Sequence, residues 1–121
     1  MIVAGFGFRK GADMLALRDA LALAQRDHPT VTALAVPHDK AHQLAGLAEA
    51  MGLPLIAIDQ QLLEAGRTIT QSRASLAARG TGSVAEAVAL AGAGQGAHLL
   101  GSRHISFDRM ATCAIAQGAL P

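Results

Sequence analysis

The chain has 121 residues, of which 51% are hydrophobic and 16% are charged, and its formal net charge at pH 7 is +1. This composition is typical of one globular domain and disfavours both a disordered chain and a general nucleic-acid-binding protein. The one cysteine excludes an internal disulfide, and every apolar run is shorter than the ~20 residues of a membrane span. The first residues do not follow the pattern of a signal peptide. We therefore predict a single cytoplasmic domain over residues 1–121.

Strand and helix patterns alternate through the first half of the sequence. The predicted elements are a strand at 2–6, a helix at 13–27 with Asp13 as its N-cap, a strand at 30–37, a helix at 38–52 and a strand at 53–59. The predicted buried stripes are Met14, Leu17, Leu21 and Ala24 in the first helix, and Leu44, Leu47, Ala48 and Met51 in the second. Because strand–helix–strand units join parallel strands, this half predicts a parallel sheet with helices on its faces.

The second half gives shorter signals. Its predicted elements are a short helix at 60–65, a short edge strand at 68–72, one or two helical turns at 73–79, a helix that follows Ser83, and strands near 98–103 and 110–116. Ser83 and Glu86 match the S-x-x-E capping box. The last two strands are joined by a short turn, so they must be antiparallel. The predicted fold is α/β, with a mixed, mostly parallel sheet and a C-terminal antiparallel hairpin.

The stretch VAGFGFRKGAD (residues 3–13) joins the first strand to the first helix. It lacks both the G-x-G-x-x-G spacing of a dinucleotide site and the pattern of a phosphate loop. Three interpretations remain: a nucleotide site, a tight turn with a solvated Arg9 and Lys10, or an anion-binding loop. The anion-binding loop is favoured because Arg9 follows a strand and precedes a helix N-terminus, where open α/β sheets bind ligands. Its other candidate residues are Gly5 and Gly7.

Two further places on the same rim of the sheet are candidates for anion binding. The stretch RGTGSVAEA (residues 79–87) offers Thr81, Gly82 and Ser83 through hydroxyl and backbone N–H groups. Ser83 is equally explained as a helix cap, which leaves Thr81 as the freer hydroxyl. Lys40 lies in the first turn after the second strand, where a cation opposes the helix dipole. It is therefore either a ligand contact or a solvated lysine.

No metal or cofactor is predicted, and the catalytic residues stay unassigned. His38 and His42 have the i, i+4 spacing of a helical metal pair, but no third ligand accompanies them. Cys113 falls in a predicted strand and is interpreted as a small core residue. The serines lack the G-x-S-x-G elbow of a nucleophile.

These motifs belong to a longer series that runs in order along nearly the whole chain. The series consists of VAGFGFRKGA, Lys40, GLPL (52–55), TQS (70–72), GTGSVAEAVAL (80–90) and DRMATCAIA (108–116). It resembles the CobE and CbiG C-terminal family of cobalamin (vitamin B12) biosynthesis. The resemblance implies a three-layer α/β/α domain that acts on, or holds, a corrin precursor.

The resemblance leaves two classes of function open. Longer CbiG proteins carry this domain after an N-terminal region and open a lactone ring of a cobalt-precorrin with loss of acetaldehyde. This chain has no such region and is similar to the stand-alone CobE type, so it is expected either to bind a corrin or to hydrolyse one. An accessory subunit of another pathway enzyme is a weaker alternative, and an exposed hairpin edge suggests a homodimer surface. The predicted binding residues are Gly5, Gly7, Arg9, Lys40, Ser72, Thr81, Gly82, Ser83 and Arg103.

Overall fold

The computed structural model describes residues 1–65 and 67–119. These residues contain a six-stranded mixed sheet. Its strands are β1 (Ile2–Phe8), β2 (Ala33–Pro37), β3 (Leu55–Ile58), β4 (His98–Leu99), β5 (His104–Ile105) and β6 (Ala111–Gln117). β1, β2 and β3 run parallel, as the alternating strand and helix patterns predict.

β6 lies beside β1 in the middle of the sheet. The strand order is β3-β2-β1-β6-β4, and β5 also pairs with β6. β6 is antiparallel to β1 along its whole length, from Ile2 opposite Gln117 to Phe8 opposite Ala111. It is antiparallel to β4 and β5 as well. The predicted mixed sheet is therefore confirmed.

Helices cover both faces of the sheet. They are α1 (Met14–Gln25), α2 (Ala41–Met51), α3 (Gln60–Ala65), α4 (Arg73–Arg79) and α5 (Val84–Ala93), and a 3-10 turn at His38–Lys40 precedes α2. α1 and α2 lie on one face and α3 and α5 on the other, while α4 packs beside α3. Successive residues of β1 point to opposite faces, so Phe6 packs with α1 and α2 whereas Val3 packs with α3 and α5. This is the three-layer α/β/α architecture that the resemblance implies.

Local signals set the ends of the helices. Asp13 caps α1 by accepting a hydrogen bond from the N–H of Ala16 at 2.9 Å. α2 ends at Gly52, whose φ of 66° lies in the left-handed region that glycine adopts readily. The stripes of both helices are buried as predicted, except that Met14 and Met51 remain 39% and 38% exposed. These two residues lie at the first and last positions of their helices, at the margin of the core.

The close contact between α5 and β1 depends on Gly5. A Cβ atom there would lie 2.2 Å from the carbonyl oxygen of Ala85 and 2.5 Å from the backbone nitrogen of Ala89. No side chain fits in such a space, because protein interiors are already close-packed. Gly5 therefore serves the packing of the helix on the sheet.

Two predicted strands differ in the structure. The edge strand expected at 68–72 does not form, because the N–H groups of Ile69 and Thr70 bond to the side chain of Glu86 instead of to a neighbouring strand. Of the strand expected near 98–103, only β4 at 98–99 forms, and a second short strand, β5, follows at 104–105. Both make the predicted antiparallel contact with β6. Over residues 1–65 and 67–119, no helix has the length and apolar character needed to cross a membrane.

Candidate functional site

A cleft of about 480 Å³ opens where β1 and β2 end. This is the edge of an α/β sheet at which ligands bind, since the carboxyl ends of parallel strands meet there. The walls of the cleft come from the end of β1, the turn after β2, α4, and the chain around β5 and β6. Its lining includes Gly7, Phe8, Arg9, Lys40, Ser72, Ser75, Val84, Arg79, Arg103, Ile105, Arg109, Met110 and Thr112.

Positive charge is concentrated in this cleft. Its lining contains five of the ten Lys and Arg residues of the chain: Arg9, Lys40, Arg79, Arg103 and Arg109. No Asp or Glu is among the described residues of that lining. The chain as a whole carries a formal charge of only +1, so the cleft is far more cationic than the rest of the surface. Such a cleft concentrates anions.

Lys40 is held against the end of β1. Its Nζ donates a hydrogen bond to the carbonyl oxygen of Phe8 at 2.6 Å and lies 4.7 Å from the centre of the Phe8 ring. Burial lowers the pKa of Lys40, and the nearby Arg79 lowers it further, while Asp39 opposes the change. An ammonium group has three donors, so Lys40 has protons left for an anion in the cleft.

Arg79, at the end of α4, is fixed by a two-point contact with Asp39. Its Nη1 and Nη2 donate to Oδ1 and Oδ2 of Asp39 at 2.9 and 2.7 Å. Gln60 accepts a further bond from Nη1 at 3.1 Å and donates to the carbonyl oxygen of Arg79 at 2.6 Å. The hydrogen bond from Arg79 holds the pKa of Asp39 below its usual range. This cluster attaches α4 to the turn after β2.

Arg9 and Arg109 lie on two segments that are bonded to each other. The N–H of Arg9 donates to the carbonyl oxygen of Met110 at 2.8 Å. Arg109 has a φ of 63°, in the left-handed region, and its N–H donates to the carbonyl oxygen of Ser106 at 2.9 Å. The hydroxyl of Ser106 donates to Asp108, which closes the same turn. The backbone thus brings two guanidinium groups to one side of the cleft.

Glu86 is fully buried and fixes the other side of the cleft. Its Oε1 accepts hydrogen bonds from the N–H groups of Ile69 at 2.6 Å and Thr70 at 2.9 Å. Its Oε2 accepts from the Thr70 hydroxyl and from the N–H of Arg103 at 2.9 Å. Burial raises the pKa of Glu86, but the bonds from Thr70, Arg103 and Ile69 outweigh burial, so the pKa lies below its usual range. The carboxylate is therefore charged at neutral pH.

A protein-family comparison identifies the type of domain that carries this cleft. A family model described as cobalamin synthesis G C-terminus, or CbiG C-terminal, matches residues 2–116. The chain belongs to the CbiG C-terminal family. It is thus a cobalamin biosynthesis protein of the CobE/CbiG type, and the resemblance found in the sequence is confirmed.

Solved structures share the fold of this CbiG C-terminal domain. The crystal structure of CobE, a protein from the cobalamin (vitamin B12) biosynthetic pathway, has a TM-score of 0.86 and 30% identity, and the match covers 98% of this chain and 91% of that one. The cobalamin biosynthesis protein chiG from Agrobacterium tumefaciens str. C58 has a TM-score of 0.76 and 38% identity, over 99% and 100% of the two chains. A cobalamin biosynthesis protein G homolog from Sulfolobus solfataricus, with a TM-score of 0.76 but 18% identity, shares the fold; the match covers 98% of this chain and 37% of that one. Comparison with curated protein sequences gives no match.

The CbiG C-terminal domain brings five of its nine predicted binding residues into the cleft. Gly7, Arg9, Lys40, Ser72 and Arg103 line it. The other four, Gly5, Thr81, Gly82 and Ser83, are buried outside that lining. The role of the five in ligand binding stays a prediction, but their convergence gives the prediction a defined place.

Of the four residues outside the lining, Gly5, Gly82 and Ser83 are placed where they serve the fold. Gly82 lies against the chain before α4, where a Cβ atom would come within 2.3 Å of the carbonyl oxygen of Thr70. Ser83 caps α5 by accepting from the N–H of Glu86 at 3.3 Å. Only this half of the predicted capping box forms, because the Glu86 side chain bonds to other segments. Thr81 is buried, and its hydroxyl has no hydrogen-bond partner among the described residues.

The sequence predicts no role in the cleft for three residues that matter in this CbiG C-terminal domain. Arg79 and Arg109 each have a common local explanation, as the last residue of a helix and as part of a turn. Glu86 has one as well, as the third residue of a capped helix. The only available signal for Arg109 was its place in the DRMATCAIA segment, and no signal distinguished the buried role of Glu86 from a cap.

His38, His42 and Cys113, which were considered as metal ligands or as a core cysteine, all lie outside the cleft lining. His38 and His42 are both exposed. Within the part of the chain that the structure describes, no three His, Cys, Asp or Glu side chains form a group suited to a metal ion. Cys113 is buried in β6, and burial raises the pKa of its thiol, in agreement with its interpretation as a core residue.

Proposed function

We propose that the cationic cleft binds an anionic corrin precursor or product such as hydrogenobyrinic acid. The observation that carries the proposal is the convergence of five cationic side chains on a lining that has no carboxylate among its described residues. Corrin precursors carry acetate and propionate groups around a broad apolar ring. A protein that binds them needs several separated cationic donors and an apolar contact surface, which differs from a single phosphate pocket.

The arrangement of the cations fits such a ligand. Over residues 1–65 and 67–119, the guanidinium groups of Arg9, Arg103 and Arg109 make no hydrogen bond to the protein, so their donors are available. A charge-assisted hydrogen bond contributes roughly 1.5–3 kcal/mol. Three such bonds contribute about 4.5–9 kcal/mol in all. Burial of the apolar edge of the ring has to add to them for micromolar affinity to remain after the cost of association.

The rest of the lining suits the ring of the ligand. Val84, Ile105 and Met110 supply apolar surface between the cations. The cleft, at about 480 Å³, is smaller than a complete corrin with its side chains, so it accommodates one edge of the ring and the carboxylates on it. A ligand held by one edge remains accessible from the other, which favours a protein that receives a corrin and passes it on.

A precorrin hydrolase is the main alternative. Hydrolysis of a lactone needs a nucleophile or a general base near the ring. The described lining contains no Asp, Glu, His or Cys; its remaining candidates are the hydroxyls of Ser72, Ser75 and Thr112 and the amine of Lys40. The binding role is favoured because the described lining has five cationic side chains but no carboxylate, imidazole or thiol that could act as a general base or nucleophile.

Two weaker alternatives concern a nucleotide and a protein partner. Gly5 and Gly7 lie inside strand β1, where they allow close approach of α5, so they do not form a phosphate-binding loop. A homodimer through the C-terminal edge would use β4 and β5, which have two residues each and offer little backbone for pairing. Gel filtration of the protein with and without a corrin tests the dimer separately.

A visible-absorption titration of the purified chain with hydrogenobyrinic acid and with its available precursors tests the proposal. The chain has no Trp and no Tyr, so a fluorescence titration has little background from the protein. Saturable binding with a ring spectrum that then stays constant supports a binding role. A slow spectral change that needs only catalytic amounts of protein supports the hydrolase, and the absence of saturable binding contradicts the proposal.

A second ligand provides the control. The same ring with its side-chain carboxylates converted to amides keeps the apolar surface and loses the negative charge. It is expected to bind more weakly, and the difference between the two ligands is expected to shrink as salt screens the cations. Equal affinity for both ligands would show that the cations of the cleft do not recognise the carboxylates.

A further inference from the structure

Glu86 connects three parts of the domain through one buried carboxylate. It lies on α5, and its two oxygens bond to the N–H groups of Ile69 and Thr70, ahead of α4, and to the N–H of Arg103, ahead of β5. Ser72, which follows the first of these segments, lines the cleft, and so does Arg103 itself. One carboxylate therefore sets the positions of two separate segments of the cleft.

The two oxygens of Glu86 have different tasks. Oε1 takes both backbone N–H groups of the segment before α4, at 2.6 and 2.9 Å. Oε2 takes the hydroxyl of Thr70 and the N–H of Arg103, at 2.9 Å for the latter. In the described residues, this is the one hydrogen bond that the backbone N–H of Arg103 makes. The path of the chain at Arg103 thus depends on Oε2.

We propose that Glu86 is a positioning residue for ligand binding, which acts by fixing the backbone of Arg103 so that its guanidinium group meets a carboxylate of the ligand in the cleft. This inference rests on the proposed function. Glu86 itself lies outside the cleft lining and does not touch the ligand. Its effect on affinity is therefore transmitted through Arg103.

Glu86→Gln separates the two tasks with a small change of shape. A glutamine keeps one carbonyl oxygen, and the orientation that retains the bonds from Ile69 and Thr70 preserves more hydrogen bonds than the reverse. The amide NH₂ group then faces the N–H of Arg103, and two donors cannot bond to each other. The Thr70 hydroxyl can turn to accept from the amide, but the N–H of Arg103 loses its partner. The variant thus releases Arg103 while it keeps the segment before α4.

The sign of the change in affinity distinguishes positioning from simple electrostatics. Removal of a negative charge near a cationic cleft strengthens the attraction for an anion, so a purely Coulombic effect gives tighter binding. Release of the Arg103 backbone weakens binding instead, because the guanidinium group is no longer held where it meets a carboxylate of the ligand. We expect the affinity for hydrogenobyrinic acid to fall by about tenfold or more, which is the scale of one charged contact.

A double-mutant cycle tests whether the effect passes through Arg103. Affinity for hydrogenobyrinic acid is measured for the wild-type chain, Glu86→Gln, Arg103→Ala and the double variant. Loss of affinity in Glu86→Gln that disappears in the Arg103→Ala background supports the inference. Ile2→Val, at the opposite end of β1, provides a variant with a destabilised core and an unchanged cleft, and we expect it to bind like the wild-type chain.

Two other outcomes overturn the inference and can be told apart. If the wild-type chain binds but Glu86→Gln binds equally well or more tightly, or if the two losses simply add, Glu86 does not position Arg103 and the proposed function stands. If the wild-type chain does not bind hydrogenobyrinic acid, the proposed function and the inference fall together. Amide hydrogen exchange at Arg103 and Thr70 checks the variant itself, since faster exchange is expected at Arg103 and not at Thr70.

Discussion

The ammonium nitrogen of Lys40 lies 2.6 Å from the carbonyl oxygen of Phe8, so the turn after β2 is bonded to the end of β1. This contact gives Lys40 a structural task in addition to its place in the lining. Lys40→Ala is therefore expected to weaken corrin binding and also to lower the free energy of unfolding by about 0.5–1.5 kcal/mol, the usual contribution of one hydrogen bond. Urea unfolding and the corrin titration measure the two effects.

Lys10 provides the matched control for Lys40. It is an exposed lysine outside the cleft lining. Lys10→Ala is therefore expected to leave the corrin affinity and the free energy of unfolding nearly unchanged. Unchanged stability in Lys40→Ala would show that the bond to Phe8 contributes nothing, and unchanged affinity would remove Lys40 from the site.

Arg9 is expected to affect binding without an effect on stability. Its side chain is exposed and makes no hydrogen bond within the described chain, whereas its backbone N–H, which a substitution retains, bonds to Met110. Arg9→Ala should weaken the binding of hydrogenobyrinic acid by about tenfold. Arg18, an exposed arginine of α1 outside the lining, is the control for the loss of one positive charge. A similar loss of affinity in Arg18→Ala would point to net charge and not to the cleft.

Asp39 is expected to compete with the proposed ligand for Arg79. It accepts two bonds from the guanidinium group, and 61% of its side chain is exposed. Asp39→Asn removes the negative charge at the margin of the cleft and releases Arg79, so the affinity for an anionic corrin is expected to rise. Because solvent reaches the pair through the largely exposed Asp39, the loss of stability should not exceed about 1 kcal/mol. The corrin titration and urea unfolding test this, with Asp27→Asn, an exposed carboxylate just after α1 and outside the cleft lining, as the control. Weaker binding in Asp39→Asn would show that Arg79 must be held by Asp39 to act.

Glu86 is expected to make the stability of the domain sensitive to acid. Its pKa in the folded chain lies below the ordinary value of 4.5, so the unfolded chain takes up the proton first as the pH falls. The contribution of this carboxylate is therefore complete above pH 4.5 and is lost as the pH falls through the lower folded pKa. Thermal unfolding measured from neutral pH into acid should show a flatter pH dependence for Glu86→Gln than for the wild-type chain. Parallel curves would indicate that the pKa of Glu86 is the same in both states.

Much of the fold follows from signals that lie close together in the sequence. Asp13 and Gly52 set helix ends through bonds to residues within one turn, so their roles are visible in the local pattern. The positions of Arg9 and Lys40 are predictable for a related reason: each follows a strand of a parallel pair, and the ends of such strands meet. The location of the cleft was therefore predictable from the order of the elements.

The remaining features depend on contacts between distant parts of the chain. Glu86 bonds to residues 16 and 17 positions away, and nothing in S-x-x-E shows that these segments come to the start of the helix. The same contacts explain why the segment 68–72 is not a strand, since its N–H groups already have a buried partner. Arg79 becomes part of the site only because α4 lies across the cleft. A local pattern gives no information about such an arrangement.

The central position of β6 has a consequence for the way the chain is made. During synthesis β1 is complete early, but its neighbour on one side, β6, is the last of the strands within residues 1–65 and 67–119 to leave the ribosome. Until then the nascent chain has an unpaired edge in the middle of its future sheet, which is prone to association with other chains. Arg109 and Thr112, on one side of the cleft, arrive at the same late stage. Ribosome-bound chains that end before Ala111 should therefore be sensitive to protease and unable to retain a corrin. Protease resistance and corrin binding should appear together once Gln117 has emerged.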